Sequence, residues 1–217
     1  MVAWAGYALL QKRWASPLGS SARLAAIVSG GVLMRNLDLD GALTSVVDLS
    51  VSGTSNLGAN VTTSGTQTYT GAAIISANIS LTGGSQLTFS STVDSSDTDG
   101  TTDSRTLTTT FTETEFDGVV GGTYALGALD INGNLDLDAA ITSAASIDVS
   151  GTSNLGANVT TSGTQTYTGA TILSGGDRTL TTTDSNIDFS STVDPSNSGD
   201  ALTISIGTGD VTFDDAV

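Results

Sequence analysis

Four aspartates crowd the segment DSSDTDGTTDS: Asp94, Asp97, Asp99 and Asp103. Alternate carboxylates followed by glycine, as in Asp97-Thr98-Asp99-Gly100, open a calcium loop, because a hard cation needs several oxygens wrapped around it by a tight turn. The segment lacks the bidentate Glu that closes such loops, and the matching stretch 194–200 keeps only Asp194 and Asp200. A solvated turn is therefore expected here, with a calcium site as the alternative and no other cofactor implied. Asp130-Ile131-Asn132-Gly133-Asn134-Leu135-Asp136 is similar to Gly/Asp calcium repeats. Its acids alternate with apolar residues, however, which places them on the outward face of strands.

Acid–base chemistry has few candidates. The chain contains no histidine and no cysteine, which removes the commonest general base, the thiolate nucleophile and the usual zinc ligands. Glu113 and Glu115 alternate on one Thr-rich run with no sign of burial. Paired carboxylates are what polysaccharide cleavage requires, and any assisting base would have to be Arg105 or Arg178, both in turn-like Ser/Asp/Gly contexts. No catalytic residue is assigned on this pattern. Tyr69 and Tyr167 occupy identical TQTYTG contexts and read as core or stacking residues rather than glycan platforms.

Charge narrows the partners. Residues 1–35 hold four of the six bases and no acid; residues 36–217 hold Arg105, Arg178 and all 22 acids, or 2 − 22 = −20. Nucleic-acid binding needs clustered Lys and Arg, so it is not expected of 36–217. An anionic membrane surface would repel that region too, and the second apolar run of the leader is about half a bilayer span, so no stable membrane span is expected.

The elements that must carry these residues are repeated. Residues 51–72, VSGTSNLGANVTTSGTQTYTGA, recur letter for letter at 149–170, 98 positions later. Asn36-Leu37-Asp38-Leu39-Asp40 recurs at 134–138, Phe89 to Asp94 at 189–194, and Leu107 and Phe116 match Leu202 and Phe213. The drifting offset puts insertions in Gly/Ser/Asp turns, the longest at 95–104, where loops absorb them without disturbing strand register. Within each copy short runs alternate apolar and polar residues with period two, as in Leu202, Ile204 and Ile206, so strands with one buried face are expected.

Two architectures suit such strands: tandem β-sandwich domains of about 100 residues, or a parallel β-solenoid of about 20 residues per coil, roughly five coils per copy. A sandwich fills two inner faces with large side chains and commonly buries a Trp. Here Trp4 and Trp14 lie outside the repeats and the inward positions are mainly Leu, Ile, Val and Ala. An all-β, right-handed parallel β-helix is the expectation, with the sandwich pair as the alternative. Its parts are a non-repeat leader at 1–35, copy one at 36–133 and a truncated copy two at 134–217. Short helices are expected at 3–14 and 22–34, within a leader unrelated to the repeats, with a signal peptide or an amphipathic cap over the first coil as alternatives.

VTTSGTQTYTGA, then FSSTVD, then VTFDDAV or EFDGVVGG, resemble the repeat regions of filamentous-haemagglutinin-like surface adhesins of bacteria and related repeat exoproteins. The resemblance covers most of 36–217 and includes no catalytic signature. It implies an exported shaft at the cell surface, structural and adhesive, with a host or cell-surface glycan or protein as partner. Other readings are a calcium-stiffened sandwich spacer and a polysaccharide-acting β-helix enzyme. Because copy two stops at Val217, where copy one continues, the chain reads as a slice of a longer array that associates end to end.

Overall fold

From Leu49 to Ile75, three-residue strands alternate with three-residue corners, and the first and third residue of each strand are buried while the middle one points out. Three such sides close a triangular coil, so that Leu49 pairs with Gln67 in the coil above. A computed structural model gives the structure of residues 31–97 and 102–217. They form a right-handed parallel β-helix of about nine coils.

The first coil comprises β1 (Val32–Met34), β2 (Leu37–Leu39) and β3 (Leu43–Val46). The second has β4 (Leu49–Val51), β5 (Ser55–Leu57) and β6 (Val61–Thr63); the third, β7 (Gln67–Tyr69), β8 (Ala73–Ile75) and β9 (Ile79–Thr82). β10 (Gln86–Phe89) and β11 (Val93–Ser95) lead into three long strands that bend around corners: β12 (Leu107–Phe116), β13 (Leu126–Leu137) and β14 (Ile141–Val149). Regular coils resume with β15 (Ser153–Leu155), β16 (Val159–Thr161) and β17 (Gln165–Tyr167), then β18 (Thr171–Leu173), β19 (Arg178–Thr181) and β20 (Ile187–Phe189). The ninth coil is β21 (Val193–Pro195), β22 (Leu202–Ser205) and β23 (Val211–Phe213). Every ladder between these strands is parallel, and each of the three faces is one stack of in-register strands.

One continuous core of Leu, Ile, Val and Phe runs through the coils. Identical inward positions stack, so rings lie on rings: Tyr69, Phe89 and Phe116 at 5.0 and 5.5 Å, and Tyr167, Phe189 and Phe213 at 5.2 and 5.1 Å, all near-parallel. The two stacks occupy different faces. Val51 lies on the first face of the second coil and Val149 on the third face of the sixth. Each copy thus advances the chain by four coils and two faces, short of five full coils, and identical sequences sit a third of a turn apart around the shaft. The three sides are interchangeable because each asks only for an inward–outward–inward triplet and a tight corner.

The sandwich alternative does not hold: β13 runs straight through the boundary at 133/134. The insertion at 95–104 is present and stretches its coil, so that Phe89 meets Phe116 as its partner one turn on. Val32–Met34, expected at the end of a helix, is instead strand β1 paired with β4, so the solenoid begins inside the segment read as leader. An extended edge satisfies its backbone along β4, which outweighs a weak helical pattern. The remainder of the 3–14 and 22–34 helices lies outside the described residues. Among the described residues there is no helix long and apolar enough to cross a membrane.

Candidate functional site

Functional side chains on a solenoid are those at the outward middle positions of strands and at the corners. Because the strands are in register, they form columns. On the second face, Asp38, Asn56, Ile74 and Asp94 stack; on the first face of the later coils, Asp136, Asn154, Ile172 and Asp194 repeat that column. The Asn56 amide donates to Asp38 at 2.9 Å and that of Asn154 to Asp136 at 2.8 Å. Ile74 and Ile172 stand exposed in the middle of each column, and an open groove lies between Asn36, Asp38, Asn56 and Ile74.

Corners carry a second pattern. An Asn or Asp just before a strand turns its side-chain oxygen to the backbone N–H of the next coil: Asn60 to Ser80 at 2.8 Å, Asn78 to Thr106 at 3.0 Å, Asn158 to Thr179 at 2.8 Å and Asp48 to Thr66 at 2.7 Å. Asp94, in the middle of β11, also accepts from the backbone of the next coil, from Thr123 N at 2.8 Å and Tyr124 N at 3.2 Å, and is nearly buried. Of the calcium-loop candidates, Asp94 thus holds the backbone of the following coil. Asp97 bridges to Thr102 on the backbone and holds the Tyr124 phenol, pushing its pKa up, first by that hydrogen bond and then by the carboxylate charge. Asp103 pairs with Arg105 at 3.3 Å and accepts from Ser96. Asp99 lies outside the described residues. Among the described residues, Asp94 and Asp103 are thus tied to backbone and side-chain partners of the chain itself.

A closer set of carboxylates lies elsewhere. Glu115, Asp117 and Asp138 each place one oxygen within 4.8 Å of the others, because Glu115 and Asp136 pair across β12 and β13 and the acids that follow meet at the corner. This set could hold a cation. Glu115 is half-buried, unlike the expectation for it, and Gln86 and Thr88 donate to it at 2.8 and 2.9 Å. Its pKa is raised, chiefly by burial, opposed by the Thr88 hydrogen bond, and further by the charges of Asp117, Asp136 and Glu113. Asp138 is raised by burial and by Asp136 and Asp117. Asp117 and Asp138 are separated in sequence by a whole coil, so only the length of that coil could have revealed their meeting.

The two bases hold backbone and loop. Arg178 donates to the Leu155 carbonyl at 3.0 Å, to the Asp177 carbonyl at 2.8 Å and to the Ser174 carbonyl; Arg105 joins Asp103. Tyr69 and Tyr167 are fully buried, as read from the sequence. Comparison with protein-family models, curated proteins and solved structures returns no match for this chain.

Proposed function

We propose that this chain is a non-catalytic shaft segment of an exported bacterial surface adhesin or fibre, of the filamentous-haemagglutinin-like kind its repeats resemble. The observation that carries this reading is the duplicated outward column. Asp38–Asn56–Ile74 and Asp136–Asn154–Ile172 present the same acid, amide and apolar groups on two faces, about 22 Å apart along the shaft at about 4.8 Å per coil, with the column continued by a buried Asp94 in one copy and an exposed Asp194 in the other. An exposed isoleucine flanked by hydrogen-bonded polar groups suits a glycan or protein surface on a host or neighbouring cell. In the test, beads coated with the purified chain are applied to cell monolayers and immobilised glycans. Ile74→Asp or Ile172→Asp should each lower adhesion by about half and the pair should abolish it. Beads that never adhere, or adhesion indifferent to both changes, would refute the reading.

End-to-end association belongs to the same proposal. The ninth coil leaves Phe213 38% exposed beside half-buried Leu202, Ile204 and Val211, and unpaired strand edges template further pairing. Repulsion between acidic shafts is screened over about 10 Å at 0.1 M salt. Sedimentation should therefore show larger species as salt rises, and Phe213→Asp should suppress them.

A further inference from the structure

The third face of copy one carries an uncharged lattice of hydroxyls. Thr62, Thr82 and Thr110 stack in one column, and Ser80 and Thr108 in the next, two residues away along the same strands. All five are exposed or half-exposed. The lattice ends at Asp130, which follows Thr108 in its column and accepts from it at 3.3 Å. The second face of copy two repeats the lattice as Thr160, Thr181 and Ser205 beside Thr179 and Thr203. Between copies only Ser and Thr exchange at these positions. Of the inward neighbours on the same strands, Val61, Leu81 and Leu107 recur as Val159, Leu180 and Leu202, while Ile79 becomes Arg178 and Thr109 becomes Ile204. Another outward column, Ser50–Thr68–Thr88–Glu115, becomes Asp148–Thr166–Asp188–Thr212. A general preference of strands for threonine would leave all outward columns alike.

A periodic, neutral array of hydroxyl and methyl groups complements a periodic, neutral partner. Hydroxyls along a column repeat at the rung spacing, about 4.8 Å. Tetrahedral water with O···O of about 2.75 Å has second neighbours about 4.5 Å apart, so successive hydroxyls can replace alternate oxygens of a water lattice with a mismatch of about 0.3 Å per rung. We propose that the two hydroxyl lattices are ice-binding surfaces, each able to adsorb to a plane of ordered water. This goes beyond the adhesive reading and stands on different residues.

The test grows ice crystals in concentrated solutions of the full chain and follows their shape and recrystallisation. Facetted crystals and slowed recrystallisation are expected. Thr82→Lys or Thr181→Lys should each weaken the effect about twofold and the double substitution should remove it, whereas Thr68→Lys, outward on another face, should not; circular dichroism checks that each variant stays folded. Rounded, unshaped crystals from the unsubstituted chain, or shaping that survives the double substitution, would overturn the proposal. Retention on microcrystalline cellulose without any effect on ice would overturn it as well. Loss of cell adhesion in the Ile74 and Ile172 variants moves independently of this readout.

Discussion

Tyr69 and Tyr167 carry hydroxyls into an otherwise apolar shaft, and each depends on a glutamine two residues earlier. The Tyr69 hydroxyl donates to Gln67 Oε1 at 3.0 Å, and Gln67 Nε2 donates to the Thr82 carbonyl at 3.0 Å; Tyr167 and Gln165 repeat the arrangement at 3.1 and 2.9 Å. Burial pushes both phenols up, so they remain protonated donors. Gln67→Leu strands the Tyr69 hydroxyl and should cost about 1–3 kcal/mol; adding Tyr69→Phe removes the orphan and should return most of that. Denaturant melts of the single and double variants check it. The carboxylates at the fifth and sixth coils act with the opposite sign to an ordinary ion pair. Glu115 and Asp138 have folded pKa values above their unfolded ones, so the folded chain binds these protons more tightly. Their penalty is present in full at neutral pH, shrinks as pH falls through the raised values, and is gone below the ordinary carboxylate range. Tm should rise as pH is lowered from 7 into the carboxylate range, and Asp138→Asn should raise Tm at pH 7 and flatten that dependence.

Corners impose their own demand on the elements. A Cβ on Gly71 would press on the Gly53 carbonyl of the coil below, and one on Gly169 on that of Gly151; a Cβ on Gly41 would meet nothing. Gly71→Ala should therefore destabilise by about 1–3 kcal/mol through overpacking. Gly41→Ala, at a position without positive φ, should be neutral or stabilise by about 0.4–1 kcal/mol, and paired thermal melts separate the two outcomes. Where strands turn a corner without a break, the device is different. β12 shifts register between Thr110 and Glu113, and Gly133 takes φ 143° against the Phe111 carbonyl. The inward–outward alternation of each strand was legible in the sequence, as with Leu202 and Ile204, because it is a local property of extended chain. The corner caps at Asn60, Asn78 and Asn158 were not, since their partners lie 20, 28 and 21 residues on. Those separations depend on how many residues each coil happens to insert.

The same non-local quantity governs the whole molecule. Duplication, parallel coils and an unbroken core follow from the repeat of 51–72 and its small apolar set. The turn of identical segments onto different faces does not, because it depends on the summed length of every intervening coil. A regular coil runs from Leu49 to its partner Gln67, whereas the one holding the 95–104 insertion runs from Phe89 to Phe116. Coils of a solenoid interact with their neighbours alone, so stability is close to a sum over coils and interfaces. Removing residues 51–148, one full period of the duplication, joins Ser50 to Val149 and recreates the native junction sequence letter for letter. Each inward residue of the remainder then meets a partner of the kind it has now, with β15 to β23 rotated by one face as a body. That shortened chain should fold into a shaft about 22 Å shorter, with a β-type circular dichroism spectrum and a lower Tm from the lost interfaces. Removing residues 51–145 instead leaves Ser146, Ile147 and Asp148 as extra residues at the junction, half of one side. The next strand then falls where a corner belongs, and its apolar residues face solvent. A cooperative melt for the first deletion and its loss for the second is the expected pair. Equal folding of both would mean that the sides of the shaft are not phased by a fixed strand-plus-corner length.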